Sequence, residues 1–225
     1  SSGIDLTSLA LDLAVGIRPE APVPSLAVHC AERAWISIPG VVSGIVGLDE
    51  AASLPGVRDV FPRSRVGDRV SFPRNNVEKC GNVIAVAENY ESASRFAEAA
   101  CRSVFLRLRP RDAETDSFLT QYSANSFPPP AFDAKPPLAE GSWNVEPFEV
   151  GGHSLGIPEE LVPRLDTLRD WHGRTLREAL AAALAYEPGL RSALGGTDPL
   201  AASLWRALIR GGIQGIVYVY DSHRP

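Results

Sequence analysis

Apolar and polar positions change rhythm several times along this chain. Between 4 and 15, IDLTSLALDLAV sets Ile4, Leu6, Leu9, Leu11, Leu13 and Val15 among small residues. Asp5 stands three residues before Ser8 as a cap and Gly16 follows as a stop, which predicts a short helix. Pro19, Pro22 and Pro24 then break regular structure, because each lacks an amide donor and restricts the residue before it. From 26 to 109 the runs shorten to strand length. SLAVHCAERAW and GVVSGIVGL read as strands, followed by a short helix at DEAASL and a turn at PGV. RDVFP and DRVSF flank residues 63–67 and predict a hairpin with Gly67 and Asp68 in its turn. GNVIAVA is almost unbroken apolar sequence, the mark of a central strand. Ala93, Phe96, Ala97, Ala100, Cys101 and Val104 recur at helical spacing and define one face, and VFLRL closes the unit as a strand.

The rhythm is lost between 110 and 163. Nine of the 19 prolines lie there, FPPPAF and KPPL among them. The composition predicts a connector running in extended form over a surface, the alternative being a polyproline ligand for another domain. Phe127, Phe132, Trp143 and Phe148 argue that it docks on something. Regular structure returns with a capping box at Thr175 and Glu178, which opens a helix that Pro188 and Gly189 end. A second helix starts with Asp198 as cap and Pro199 in its first turn and stops at Gly211 and Gly212. The β-branched and aromatic run IQGIVYVYD then reads as a strand with a frayed tail at DSHRP. The expected fold class is therefore α+β, an antiparallel sheet with packed helices. Three segments follow: 1–110 as the main lobe, 111–170 as a proline-rich acidic connector, and 171–225 as a helix-helix-strand extension packed on the lobe or on sequence outside the chain.

Charge sharpens this division. Residues 1–110 carry 12 Lys/Arg against 12 Asp/Glu, 111–170 carry 4 against 11, and 171–225 carry 6 against 4. No basic face dominates, so nucleic acid is not an expected partner. No run approaches the roughly 20 apolar residues of a membrane span, and no signal peptide opens the chain. Cys30, Cys80 and Cys101 are an odd set without CxxC pairing, as expected of reduced thiols in a cytoplasmic protein. The chain starts at Ser1 and contains no methionine, so it is expected to be a piece of a longer protein.

The order of the pieces GIDLTSLALDLAVG, PGVVSGIVGLDEAASLPGVRDVF, VGDRV and NNVEKCGNVIAVAENYESASRFAEAACRSV resembles the C-terminal lobe of an ATP-grasp ligase. Within that family it is most similar to the L-amino-acid ligase group of carboxylate–amine ligases, and it is related to the biotin carboxylase C-terminal lobe. The resemblance covers about half the chain. It implies an ATP-dependent enzyme that activates a carboxylate as an acyl phosphate for attack by an amine, using ATP and Mg²⁺ in the full-length parent. The lysines, glycine-rich lid and metal ligands that such enzymes use precede the helix GIDLTSLALDLAVG. None is present here, nor is GxGxxG or GxxxxGK[ST]. The resemblance thus implies a lobe that holds no cofactor or metal and supplies no catalytic residue. Its partners would be the N-terminal and central lobes and the parent's small carboxylate and amine substrates, with a homo-oligomer as a further expectation.

One residue carries a candidate substrate contact. Arg58, in PGVR, resembles the biotin carboxylase segment whose arginine faces the carboxylation site, the alternative being a solvated strand end. The carboxylase pattern has a lysine where this chain has Asn82, which speaks against biotin carboxylation. Arg63, Arg65, Arg69 and Arg74 read as a solvated or interdomain face rather than a phosphate clamp. His29, His153, His172 and His223 lie in separate segments without metal spacing. Cys80 follows Lys79 but has no base beside it, and GGHSLG at 151–156 lacks the strand-then-helix context of a nucleophile elbow. The competing reading is a non-catalytic interaction or oligomerisation module with a proline-rich docking arm. In either case the faces of Leu9, Leu13 and the helix over 91–104 are expected to retain uncovered apolar area.

Overall fold

The computed structural model describes residues 2–23, 25, 28–121, 127–134, 144–195 and 198–224. Helix α1 (Leu6–Ala14) forms where the pattern places it, with the Asp5 side chain accepting from the Ser8 amide at 3.0 Å. Strand β5 (Gly81–Ala87) is central, lying between β1 (His29–Trp35) and β3 (Val57–Pro62) in an antiparallel sheet. Gly81, Val83 and Ala85 of β5 are buried while the residues between them are only partly so, because α3 (Tyr90–Ser103) covers one side of the sheet. Ala93 and Ala97 of α3 pack with Ala31 and Ala85, so the helix face expected to remain uncovered is closed by its own sheet. Helix α2 (Leu48–Ser53) adds Ala51 to the adjoining core.

The hairpin expected around 63–67 does not form. β3 pairs with β5, whereas β4 (Arg69–Val70) pairs with β2 (Gly40–Val46) in a second antiparallel sheet whose other edge is β6 (Phe105–Leu108). The residues between cross from one sheet to the other. The Arg63 and Ser64 amides donate to Cys80 O and the Gly67 amide to Val42 O. A lone two-stranded ribbon buries too little to hold itself, and each strand is better covered in a wider sheet.

Within 111–170 the expected extended connector is replaced in large part by regular structure. Helix α4 (Ala113–Thr120), the antiparallel pair β7 (Val145–Val150) and β8 (His153–Pro158), and a 3-10 turn (Val162–Arg164) lie there. Phe132 is fully buried, Phe148 is packed against the same core, and Phe127 is exposed but edge-on to Phe72 at 5.6 Å. Trp143 and the KPPL run lie outside the described residues.

The expected capping box opens α5 (Leu176–Tyr186), with the Glu178 amide donating to Thr175 Oγ1 at 3.1 Å and the Thr175 amide to Glu178 Oε2 at 2.7 Å. After the short α6 (Leu190–Leu194), α7 (Pro199–His223) begins at the expected Asp198 cap. The predicted terminal strand is not a strand: IQGIVYVYD is helical. Gly212 does interrupt the helix, at φ +60° and ψ −149°, but the chain re-enters helix at once. Burial overrides β propensity here, since Ile213, Ile216, Val217 and Tyr218 all bury in helical geometry.

The two halves of α7 lie close. A Cβ on Gly215 would fall 2.2 Å from Ala207 O. Carbonyls that the break releases are satisfied by the proline-rich segment, because Ile209 O and Arg210 O accept from the Phe132 and Ala131 amides at 3.0 and 3.2 Å. This part of the FPPPAF run therefore serves its own chain. α7 joins both large cores. Ala207 and Tyr218 pack with Trp35, Ile38 and Leu106, while Leu204, Trp205 and Ile216 pack with α5, α6 and β8. No helix among the described residues is long and apolar enough to cross a membrane.

Candidate functional site

Among the described residues, the sheet β1-β5-β3 is covered by a helix, α3, on one side only. On the other side the alternation of β1 presents Cys30, Glu32 and Ala34, β5 presents Asn82, Ile84 and Val86, and β3 presents Asp59 and Phe61. All eight are exposed or half-buried, in contrast to the closed α3 side. Glu32 organises the polar centre of this open face. It accepts from Lys79 Nζ at 2.8 Å and from the Asn82 amide group. The Lys79 hydrogen bond holds the Glu32 carboxyl below its ordinary range against the opposing effect of burial, helped by the lysine's charge and by Asn82.

Arg58 stands at the edge of this face. The register of β3 against β5 shifts between Val57, opposite Ala85, and Asp59, opposite Ile84, so Arg58 is the extra residue of a bulge. A bulge bends an edge strand and re-aims the side chain it carries. The Arg58 side chain is 57% exposed and makes a loose ion pair with Asp59 at 3.7 Å. The face thus combines a guanidinium, a Lys–Glu pair, an amide and an apolar strip. That combination is suited to lining a pocket for a small polar ligand, and it contains no nucleophile with a base in reach.

The remaining candidates do not join it. Arg69 is committed to Glu114 at 2.7 Å and Asp112 at 3.2 Å. Arg63, Arg65 and Arg74 are exposed on the two loops beside β4. Cys80 is buried, which raises its thiol pKa and works against nucleophilic use, and Lys79 is engaged with Glu32. Gly151 and Gly152 form the turn between β7 and β8, both at positive φ, so GGHSLG is a hairpin turn. His29 is on exposed β1, His153 is on β8, and His223 Nδ1 is 2.9 Å from Val219 O. His172 sits in an ion cluster behind α3. Arg102 Nε donates to its carbonyl at 2.9 Å, and Asp170 accepts from its amide and from Arg174. Burial and the adjacent Arg174 push the His172 imidazole down to about 4, with Asp170 opposing and Arg102 adding. No three His, Cys, Asp or Glu side chains converge to hold a metal among the described residues.

Sequence reasoning missed the polar seam that ties α7 to the strands. Arg107 on β6 forks onto Asp221 with distances of 2.7 and 2.5 Å, reaches Tyr186 Oη at 3.1 Å, and lies near Glu187, which also pairs with Arg224. Gln214 donates to Ser37 Oγ at 2.9 Å and Leu106 O at 3.0 Å, and Tyr218 Oη donates to Asp116 at 2.7 Å. These partners are separated by 37 to 177 residues, so no local spacing announces them.

The stretch from the end of β1 through β6, with Arg58 and the β5 and β3 part of the open face inside it, is the part with known relatives. Residues 34–109 match the family L-amino acid ligase C-terminal domain 2. The resemblance to the C-terminal lobe of an ATP-grasp ligase therefore holds over this ligase-type lobe, and the α+β class with antiparallel sheets holds with it. Among solved structures, the chain is similar to the L-amino acid ligase from Bacillus licheniformis. Identity is 18%, the TM-score is 0.42, and the match covers 48% of this chain and 28% of that one. The chain thus spans well under two thirds of that ligase. No curated protein matches it.

Proposed function

We propose that this chain is the C-terminal part of an ATP-dependent ligase that joins a carboxylate to an amine, both of amino-acid type. What supports the reading is the match of residues 34–109 to the L-amino acid ligase domain, together with an open sheet face built largely from that segment. Bound ATP would supply the phosphoryl group that turns the carboxylate into an acyl phosphate, which the amine attacks with release of phosphate. The described residues do not fit Mg²⁺–ATP, because no cluster of metal-ligating side chains converges among them. No step is therefore assigned to them beyond shaping the pocket. The open face of β1-β5-β3 forms one wall. Arg58, projected by its bulge, offers a guanidinium to a substrate carboxylate, and Ile84, Val86 and Phe61 exclude water beside it.

The test uses the full-length protein that contains this chain, assayed for ADP and peptide formation over pairs of amino acids. The reading expects ATP turnover that depends on both substrates. Arg58→Ala is expected to raise KM for one substrate about tenfold with a smaller change in kcat. Absence of any amine-dependent ATP turnover refutes the ligase reading. Unchanged kinetics in Arg58→Ala refutes only the role of that residue.

A further inference from the structure

We infer that the face of β1-β5-β3 opposite α3 seats the amine substrate, an apolar α-amino acid, with its unreacted carboxylate on Arg58 and its ammonium group on Asp59. This deepens the ligase reading and rests on it, by naming which of the two substrates lies here and what recognises it.

The two ions are neighbours on β3 and are paired more loosely than others of the lobe. Arg58 Nε and Asp59 Oδ2 are 3.7 Å apart, whereas Lys79 and Glu32 close to 2.8 Å and Arg69 and Glu114 to 2.7 Å. A charge-assisted hydrogen bond between them would be about 1 Å shorter. Among the described residues neither side chain has another ion pair or hydrogen bond, so both keep most of their bonding capacity. Asp59 stands opposite Ile84 on the open face, and the loose pair brings the Arg58 guanidinium beside it. In an α-amino acid the amine nitrogen and a carboxylate oxygen are held about 3 Å apart by two carbons. A zwitterion of that spacing lies alongside a guanidinium and a carboxylate 3.7 Å apart and meets opposite charge at each end. Half-buried Ile84 and Val86 flank the pair, since the Val86 amide donates to Gly56 O at 2.8 Å next to the bulge. They offer an apolar side chain a matching surface.

Charge decides between the two substrates. Arg58 and Lys79 are balanced by Asp59 and Glu32, so the face is neutral as a whole. The carboxylate substrate becomes an acyl phosphate, loses its carboxylate and gains phosphate charge, which Asp59 repels at close range. The amine substrate keeps its carboxylate before and after the new bond forms. Its charges match Arg58 and Asp59, and the same repulsion disfavours the phosphates of ATP at this spot.

The full-length protein tests this with L-leucine and L-leucinamide as amines, against the carboxylate substrate that gives the highest turnover in the pair screen. Leucine is expected to show a KM at least about tenfold below that of leucinamide, which lacks the carboxylate. Arg58→Ala should raise the KM for leucine at least about tenfold and leave those for leucinamide, the carboxylate substrate and ATP within about twofold. Arg58→Lys should recover part of the loss, since it restores the charge without the fork. Asp59→Asn should raise the KM for leucine and leucinamide alike. A merely structural role for either residue would move all the constants together. The inference is overturned if leucinamide serves as well as leucine, or if Arg58→Ala acts on ATP or the carboxylate substrate instead. Unchanged amine KM values in Asp59→Asn, or turnover with other amines but none with leucine, also overturn it. All these outcomes leave the ligase reading standing. Absence of amine-dependent turnover with any pair removes that reading and this inference with it.

Discussion

Gly212 offers the sharpest test of how the C-terminal segment is built. At φ +60° and ψ −149° it occupies a region essentially closed to residues with a Cβ. A methyl group there meets nothing closer than Ala131 Cβ at 3.6 Å, an ordinary contact, so backbone strain alone sets the cost of Gly212→Ala. That cost is about 1–3 kcal/mol, from which some 0.4–1 kcal/mol is recovered through the less flexible unfolded chain. Gly215→Ala fails for a different reason. Its Cβ would lie 2.2 Å from Ala207 O and 3.1 Å from Leu119 Cδ2, so the two halves of α7 must separate, at about 3 kcal/mol or more. Guanidinium denaturation followed by tryptophan fluorescence reads both, because Trp35 and Trp205 are fully buried. A continuous helix predicts the opposite sign: glycine in a helix interior costs about 1 kcal/mol relative to alanine, so both substitutions would stabilise. A raised midpoint for Gly212→Ala would refute the broken-helix geometry and the docking of the proline-rich segment that depends on it.

Three further outcomes are expected. Arg107→Met leaves Asp221, a side chain only 7% exposed, without its fork and should cost about 2–3 kcal/mol by denaturant titration, the 30% exposure of Arg107 keeping it below a fully buried pair. Arg107→Met/Asp221→Leu should recover much of that loss. His172 is held neutral, with its pKa lowered from 6.5 to about 4, so the unfolded state binds the extra proton across that window. Its contribution is fully present above pH 6.5 and is lost as pH falls toward 4, and His172→Gln should flatten the stability profile between those values. A 1–110 piece should show an early, broad unfolding transition and bind an apolar dye, whereas 1–225 should not bind it beyond what α1 exposes.

Local signals in the sequence were read correctly wherever the partner lies within one turn or one strand. The Asp5 and Asp198 caps, the Thr175–Glu178 box, central β5 and the existence of an apolar stripe on α3, though not its cover by the sheet, all carry their evidence in spacings of two to four residues. The errors share one cause. VRDVFP and RV are adjacent in sequence but pair with β5 and β2, choices that only the assembled sheets determine. IQGIVYVYD has strand composition, but it lies against β6 and α4 in a site that is buried all round, where residue type matters less than coverage. For the candidate site, PGVR drew attention to Arg58, yet neither the bulge that projects it nor the Lys79–Glu32–Asn82 row could be read before the register of β1, β3 and β5 was known.

The family match ends at residue 109, but the packing around it does not. Ile38 and Leu106 are fully buried against Ala207, Leu119 and Tyr218. The Ile38 amide, Ser37 Oγ and Leu106 O all bond to the single side chain of Gln214. Without α7 those polar groups would need water, and the apolar residues beside them would face it, at about 25 cal/mol for each Å² uncovered. Helix α7 therefore closes the β2-β6 side of the ligase-type lobe with a helix buried over most of its length. Among the described residues, the β1-β5-β3 sheet receives no such cover opposite α3. One side of the lobe is committed to the chain's own extension, and the side that bears Arg58 is uncovered among the described residues. The extension is thus part of the lobe's scaffold, and the proposed function, if its pocket lies on this lobe, has the open face available for it.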